Sequence, residues 1–228
     1  MSQTYLARAA IFDLDGTLLD SLADIAAAVN VTLEQLGYPT HPLEDFKGFI
    51  GEGVDVLARK SLPAGVANNI EIIETVVDGY RREYHRTWNQ RTQPYPGIPE
   101  LLDWLTSEQV PMAILSNKPD GFTRLCVEQL LADWTFFPVF GERHGVPRKP
   151  DPAGAVEIAE IFKHPAKEIV YLGDTGVDMQ TAKAAGMIAV GVTWGFRSAS
   201  ELRNAGADLI IKTPNELFDH VRIEPVIL

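Results

Sequence analysis

The chain has almost no cysteine: Cys126 is the single thiol in 228 residues. No disulfide can close within it, which fits a reducing compartment. Cys126 stands among Phe122, Leu125, Leu130 and Leu131 in a helical pattern, so it reads as a buried core thiol rather than a nucleophile. Long apolar runs are missing as well. None reaches the roughly 20 residues that span a bilayer, and the opening Met-Ser-Gln-Thr-Tyr-Leu-Ala-Arg has no signal-peptide apolar stretch. The expected setting is the cytoplasm. Positive charge is scarce: 20 Lys and Arg stand against 31 Asp and Glu, a formal net charge of −11. Such a surface repels nucleic acid and anionic membranes, so neither is an expected partner. The histidines are scattered without metal-ligand spacing, and no repeat or low-complexity segment breaks the chain. No oligomeric state is read from it.

What is present is organised around Ala9-Ala10-Ile11-Phe12-Asp13-Leu14-Asp15-Gly16-Thr17. The apolar run to Phe12 predicts a buried strand. Asp13 and Asp15 follow it two positions apart, on one side of an extended chain. Two carboxylates so close call for a cation or a shared proton. A solvated Asp-Gly turn is the alternative for this stretch alone.

Beyond Thr17 the pattern is helical to about residue 90. Ser21 with Asp24 predicts a capping pair. Leu22, Ile25, Ala26, Val29, Leu33 and Leu36 mark one helix face and Gly37 a stop. Ile70, Ile73, Val77, Tyr80, Tyr84 and Trp88 mark a longer helix. Gln93-Pro94-Tyr95-Pro96-Gly97 breaks the pattern, and helices then alternate with apolar runs at Met112–Leu115, Phe136–Phe140, Ile169–Leu172, Ile188–Val192 and Asp208–Ile211. That alternation predicts an α/β fold. Its core is a Rossmann-like parallel sheet from residues 1–18 and 92–228, interrupted by an inserted all-helical cap domain over 19–91.

Four strand ends carry chemistry. Besides Asp13 and Asp15, Ser116-Asn117-Lys118 precedes Pro119, a residue suited to the first helical position. A hydroxyl, an amide and free backbone N–H groups at a helix start suit an anion; a plain helix cap at Ser116 is the alternative. Pro147-Arg148-Lys149-Pro150-Asp151-Pro152 holds a lysine on a loop that its prolines stiffen. Gly173-Asp174 ends another strand, with Asp178 on the first turn of the next helix. Carboxylates, a hydroxyl with an amide, and a lysine, all at one edge of a parallel sheet, are the groups that hydrolysis of a phosphate monoester requires.

In order and spacing, Asp13-Leu-Asp15-Gly-Thr17, Ser116-Asn117-Lys118-Pro119, Lys149-Pro150 and Gly173-Asp174 with Asp178 resemble the four motifs of the haloacid dehalogenase-like hydrolases. The helical insert, Gly51-Glu52-Gly53 and Thr193-Trp194-Gly195-Phe196-Arg197 are similar to the phosphoglycolate phosphatase-like branch, whose pyrophosphatases and sugar-phosphate phosphatases share most of these features.

The resemblance implies a catalytic pair: Asp13 as nucleophile forming an aspartyl-phosphate, Asp15 as acid and then base. It implies phosphate binding by Ser116 and Lys149 with Asn117 beside them. It implies Mg²⁺ held by the Asp13 carboxylate, the Asp15 backbone carbonyl and Asp174, with Asp178 orienting Lys149 or a metal-bound water. The family's dehalogenases lack an acid at position 15, so Asp15 favours phosphate chemistry. Thr17 suits hydrolysis over phosphate shuttling and shapes the turn. Gly51, Glu52 and Gly53 are the expected substrate loop of the cap, with Arg59 or Lys60 offsetting Glu52. For Trp194–Arg197, packing at the sheet edge is favoured over a flap near the site. The implied partner is a small phosphorylated metabolite. A phosphoacceptor domain and a silent binding protein are the rivals from other classes.

Overall fold

A computed structural model describes residues 4–224. The chain divides into two compact units, one built from residues up to Leu19 together with those from Pro94 on, the other from Asp20–Gln93.

The first unit opens with β1 (Tyr5–Ala7) and β2 (Ala9–Phe12), reaches Leu19 in β3 (Leu19–Asp20), and resumes in β4 (Gln93–Pro94). The helical unit lies between those last two strands: α1 (Leu22–Gln35), α2 (Phe46–Phe49), α3 (Val54–Ser61) and α4 (Ile70–Thr87). After it come α5 (Ile98–Ser107), β5 (Met112–Pro119), α6 (Asp120–Leu130), β6 (Val139–Glu142), α7 (Ala153–Phe162), β7 (Ile169–Gly173) and α8 (Gly176–Ala184). The chain ends in β8 (Ile188–Val192), α9 (Ala199–Asn204), β9 (Leu209–Ile211), α10 (Glu216–His220) and β10 (Val221–Ile223).

Six strands form one parallel sheet in the order β6-β5-β2-β7-β8-β9. The first of them in sequence is therefore central. From β2 the chain builds outward through β5 and β6, then returns to the other side of β2 with β7. The crevice outside the carboxyl ends of strands at such a reversal is where open α/β sheets place ligands. Ala9, Ala10, Ile11 and Phe12 are each fully buried, as a strand covered on both faces requires. Their register against β5 and β7 brings Phe12 beside Ile114 and Leu172, so three carboxyl ends meet at one rim.

Several local expectations need correction. The pairs β1–β10 and β3–β4 were not expected: strands of two or three residues carry no readable alternation. The strand predicted over Phe136–Phe140 is shifted to Val139–Glu142. Pro138 has no N–H to donate to a ladder, and Phe136 instead packs edge-on against Phe12. Ser21 precedes α1 but makes no side-chain cap. Asp24 turns its carboxylate to the end of its own unit, where Oδ2 accepts from the backbone N–H groups of Arg91 and Thr92 and from the Thr92 hydroxyl, each at 2.8 Å. In α4, Val76 rather than Val77 is buried, and Ile70 is exposed.

Candidate active site

Asp13 leaves β2 with its backbone still in the ladder, its N–H donating to the Leu172 carbonyl at 2.9 Å. Asp174 leaves β7 one residue beyond Gly173. Asp178 stands in the first turn of α8, where its Oδ2 accepts from the backbone and hydroxyl of Thr175 at 3.0 and 2.6 Å. One oxygen from each of Asp13, Asp174 and Asp178 falls within 4.8 Å of the others, and all three side chains are buried. Lys149 enters this group, its Nζ 2.9 Å from Asp13 Oδ1 and 2.6 Å from Asp178 Oδ1.

Three carboxylates and one ammonium out of water leave an excess of negative charge. Burial pushes the Asp13 carboxyl up to about 6, and the neighbouring Asp178 charge adds to the rise while Lys149 opposes it. Burial, then the charges of Asp178 and Asp13, hold the Asp174 carboxyl well above the usual range, against the Phe196 N–H and Arg197. Burial alone would weaken the charge on Lys149; the attraction of Asp13 and Asp178 outweighs it and drives its affinity for a proton upward.

β5 continues through Ser116, Asn117 and Lys118 to Pro119, with its register against β6 broken between Leu115 and Pro119, so these residues sit on an irregular strand end rather than on a helix start. Pro119 is the residue before α6, which has no side-chain cap. The Ser116 hydroxyl accepts from the Lys118 N–H at 3.3 Å. Asn117, expected beside phosphate, clasps Lys149: its Nδ2 donates to the Lys149 carbonyl and its Oδ1 accepts from the Lys149 N–H, both at 3.0 Å. That reciprocal pair holds the lysine loop against the strand end. Beneath it the Tyr171 hydroxyl donates to the Leu115 carbonyl at 3.2 Å, with the Lys149 ammonium 5.9 Å from its ring centre.

The carboxylate of Asp15 is outside the acidic cluster. Lys118 Nζ donates to both of its oxygens at 2.9 Å, and both residues are buried. Sequence reasoning quoted Lys118 within its motif but gave it no task. The only signal was that Asp15 needs a countercharge; the strand register breaks between Leu115 and Pro119, so spacing did not say that Lys118 would supply it.

Asp174 is held from two directions. Thr17 Oγ1 donates to its Oδ1 at 3.2 Å, and the Phe196 N–H donates to its Oδ2 at 2.8 Å. Trp194 Nε1 donates to the Thr17 carbonyl at 2.9 Å. The segment read as edge packing therefore reaches the acidic cluster. The contact runs through a main-chain N–H, which side-chain identities do not announce.

In the helical unit, Gly51 and Gly53 both take positive φ, 120° and 100°. Glu52 Oε1 accepts from Lys60 Nζ at 2.7 Å, and that ammonium also donates to the Gly48 carbonyl at 3.0 Å. Lys60 thus meets the Glu52 charge. Cys126 is buried in α6, and burial pushes its thiol up to about 11, which leaves it inert as a nucleophile.

The donor set suits a hard divalent cation: every available ligand atom is oxygen, and the buried acids carry more negative charge than Lys149 offsets.

Residues 10–192 match the model of the family described as haloacid dehalogenase-like hydrolase. A phosphoglycolate phosphatase of Pseudomonas syringae pv. tomato is 33% identical over 219 residues, covering 93% of this chain and 76% of that protein. One from Pseudomonas putida is 32% identical, covering 95% and 78%. Among solved structures, a haloacid dehalogenase-like family hydrolase from Streptococcus pneumoniae superposes with a TM-score of 0.83 at 26% identity, covering 93% of this chain and 97% of its own.

Proposed function

Given that the chain belongs to the haloacid dehalogenase-like hydrolase family, we propose that it is a Mg²⁺-dependent phosphatase acting on a small phosphate monoester of the phosphoglycolate type through an aspartyl-phosphate. The observation that carries this reading is the buried group of Asp13, Asp174, Asp178 and Lys149 at the carboxyl ends of β2 and β7.

Asp13 attacks phosphorus as the bond to the leaving alcohol breaks, and Asp15 gives that oxygen its proton. Asp15 then takes a proton from a water whose oxygen bonds to phosphorus. The bond to Asp13 breaks, and inorganic phosphate leaves with the carboxylate restored. Ser116 and Lys149 bind the transferring group, Asn117 fixes Lys149, and Asp178 aims its ammonium. The Asp13 and Asp174 carboxylates and the Asp15 carbonyl would hold the cation. When bound, it offsets charge on the phosphoryl oxygens. The helical unit, through Gly51, Glu52 and Gly53, selects the leaving group. The names of the Pseudomonas relatives favour phosphoglycolate. Among the described residues no helix is long and apolar enough to cross a membrane; with a single cysteine, the reading places the enzyme in the cytoplasm.

The test is kcat/KM over phosphoglycolate, sugar phosphates, nucleotides and pyrophosphate, with and without Mg²⁺. The highest value for phosphoglycolate supports the full reading. A higher value for pyrophosphate or a sugar phosphate moves the substrate within the same chemistry. A stable phosphoprotein without turnover replaces it with a phosphoacceptor.

A further inference from the structure

We infer that the loop Trp194–Phe196 is a positioning device for Asp174, coupling this acid to the turn that carries Asp13 and Asp15; the inference rests on the cation-site reading above. The loop follows β8, a strand that contributes no residue to the acidic cluster. It nonetheless makes two attachments, one to Asp174 and one to the turn, and the turn adds a third of its own to Asp174. The Phe196 N–H donates to Asp174 Oδ2, Trp194 Nε1 donates to the Thr17 carbonyl, and Thr17 Oγ1 donates to Asp174 Oδ1. Both oxygens of Asp174 are thereby fixed by donors, one from each side of the site.

Close packing completes the device. A Cβ at Gly195 would overlap the Gly16 carbonyl oxygen and the Asp174 side chain, and one at Gly16 would overlap the Asp174 carboxylate and the Phe196 ring. Gly16 also has φ +88°, a backbone that side chains rarely adopt. Two glycines therefore let the loop and the turn close on one carboxylate. Donors that orient a ligating carboxylate typically change metal affinity by about 10- to 100-fold when removed.

Mg²⁺ binding to the full chain is the measurement, by titration calorimetry on wild type, Asp174→Asn, Trp194→Phe, Thr17→Val and Thr17→Ser. Trp194→Phe keeps a ring and loses the N–H; Thr17→Val keeps the shape and loses the hydroxyl. Each is expected to raise the Mg²⁺ Kd about tenfold, with Thr17→Ser returning it towards wild type. Half-maximal activity should move to correspondingly higher Mg²⁺, and raising Mg²⁺ should recover the lost rate. Gly195→Ala should act in the same direction; if it fails to fold, the Trp194 and Thr17 variants still decide. Wild-type Kd in both Trp194→Phe and Thr17→Val overturns the inference, as does a fall in kcat that extra Mg²⁺ does not recover. Equal Kd for wild type and Asp174→Asn overturns instead the cation-site reading, and the inference with it.

Discussion

The Lys118 ammonium lies 2.9 Å from each carboxylate oxygen of Asp15, a buried lysine gripping a buried acid across 103 residues of chain. Asp15, the proposed acid–base group, is thereby fixed in orientation. Lys118→Met releases it and leaves a buried carboxylate without its partner. General acid catalysis matters most when the leaving alcohol is a poor one. We expect kcat/KM to fall about 100-fold for an alkyl phosphate and by markedly less for p-nitrophenyl phosphate, whose leaving group needs little proton assistance. Equal losses on the two substrates would contradict the role.

Asn117 bonds both backbone groups of Lys149. Asn117→Ala leaves a buried N–H and C=O unpaired, at a cost of about 2 kcal/mol, and frees the loop that carries the lysine. Chemical denaturation should register the loss of stability. Steady-state kinetics should show a fall in kcat/KM of about tenfold or more, for a displacement of the ammonium on the order of 1 Å.

Asp13 is a burden to the fold. Burial raises its carboxyl to about 6, against an unfolded value near 4. A carboxyl whose folded value is raised costs stability as pH climbs through that interval, and the cost is complete above it. Asp13→Asn should therefore melt at a higher temperature than wild type at pH 7 without metal, and the gap should narrow by pH 5. It should also be inactive. A lower melting temperature than wild type at pH 7 would contradict this account of the site's electrostatics.

Asp24 behaves in the opposite sense. Burial would raise its carboxyl, but hydrogen bonds from the backbone and side chains of Arg91 and Thr92 outweigh burial and lower it. Its stabilisation is complete above about pH 4 and is lost as pH falls through the depressed folded value. Asp24→Ala removes the tie between α1 and the end of the helical unit and takes the acceptor from the Arg91 and Thr92 N–H groups, at a cost of about 2 kcal/mol. Urea unfolding at pH 7 should show it, with a smaller difference between variant and wild type in strong acid.

The strands were legible because they are continuous apolar runs, and the site because two of them end at acids. Ala9–Phe12 and Ile188–Val192 match their predicted bounds, and Asp13 and Asp174 were read as strand ends for that reason. The short pairs β1–β10 and β3–β4 were not legible: strands of two or three residues give no pattern. Asn117 showed an amide in a promising place, but only the fold brings Lys149 to it from 32 residues away. Lys118 and Asp15 were both in quoted motifs, yet sequence spacing says nothing of which ammonium faces which acid. The hold of Phe196 on Asp174 escaped for a different reason, since a backbone N–H has no sequence signature.

The central claim is that Asp13 carries the phosphoryl group. Wild-type protein is mixed with Mg²⁺ and phosphoglycolate labelled at phosphorus, quenched in acid within one turnover, and digested. The account predicts label on the peptide holding Asp13 and none in Asp13→Asn, which should also lack turnover. Label at another residue, or sustained hydrolysis by Asp13→Asn, would contradict it.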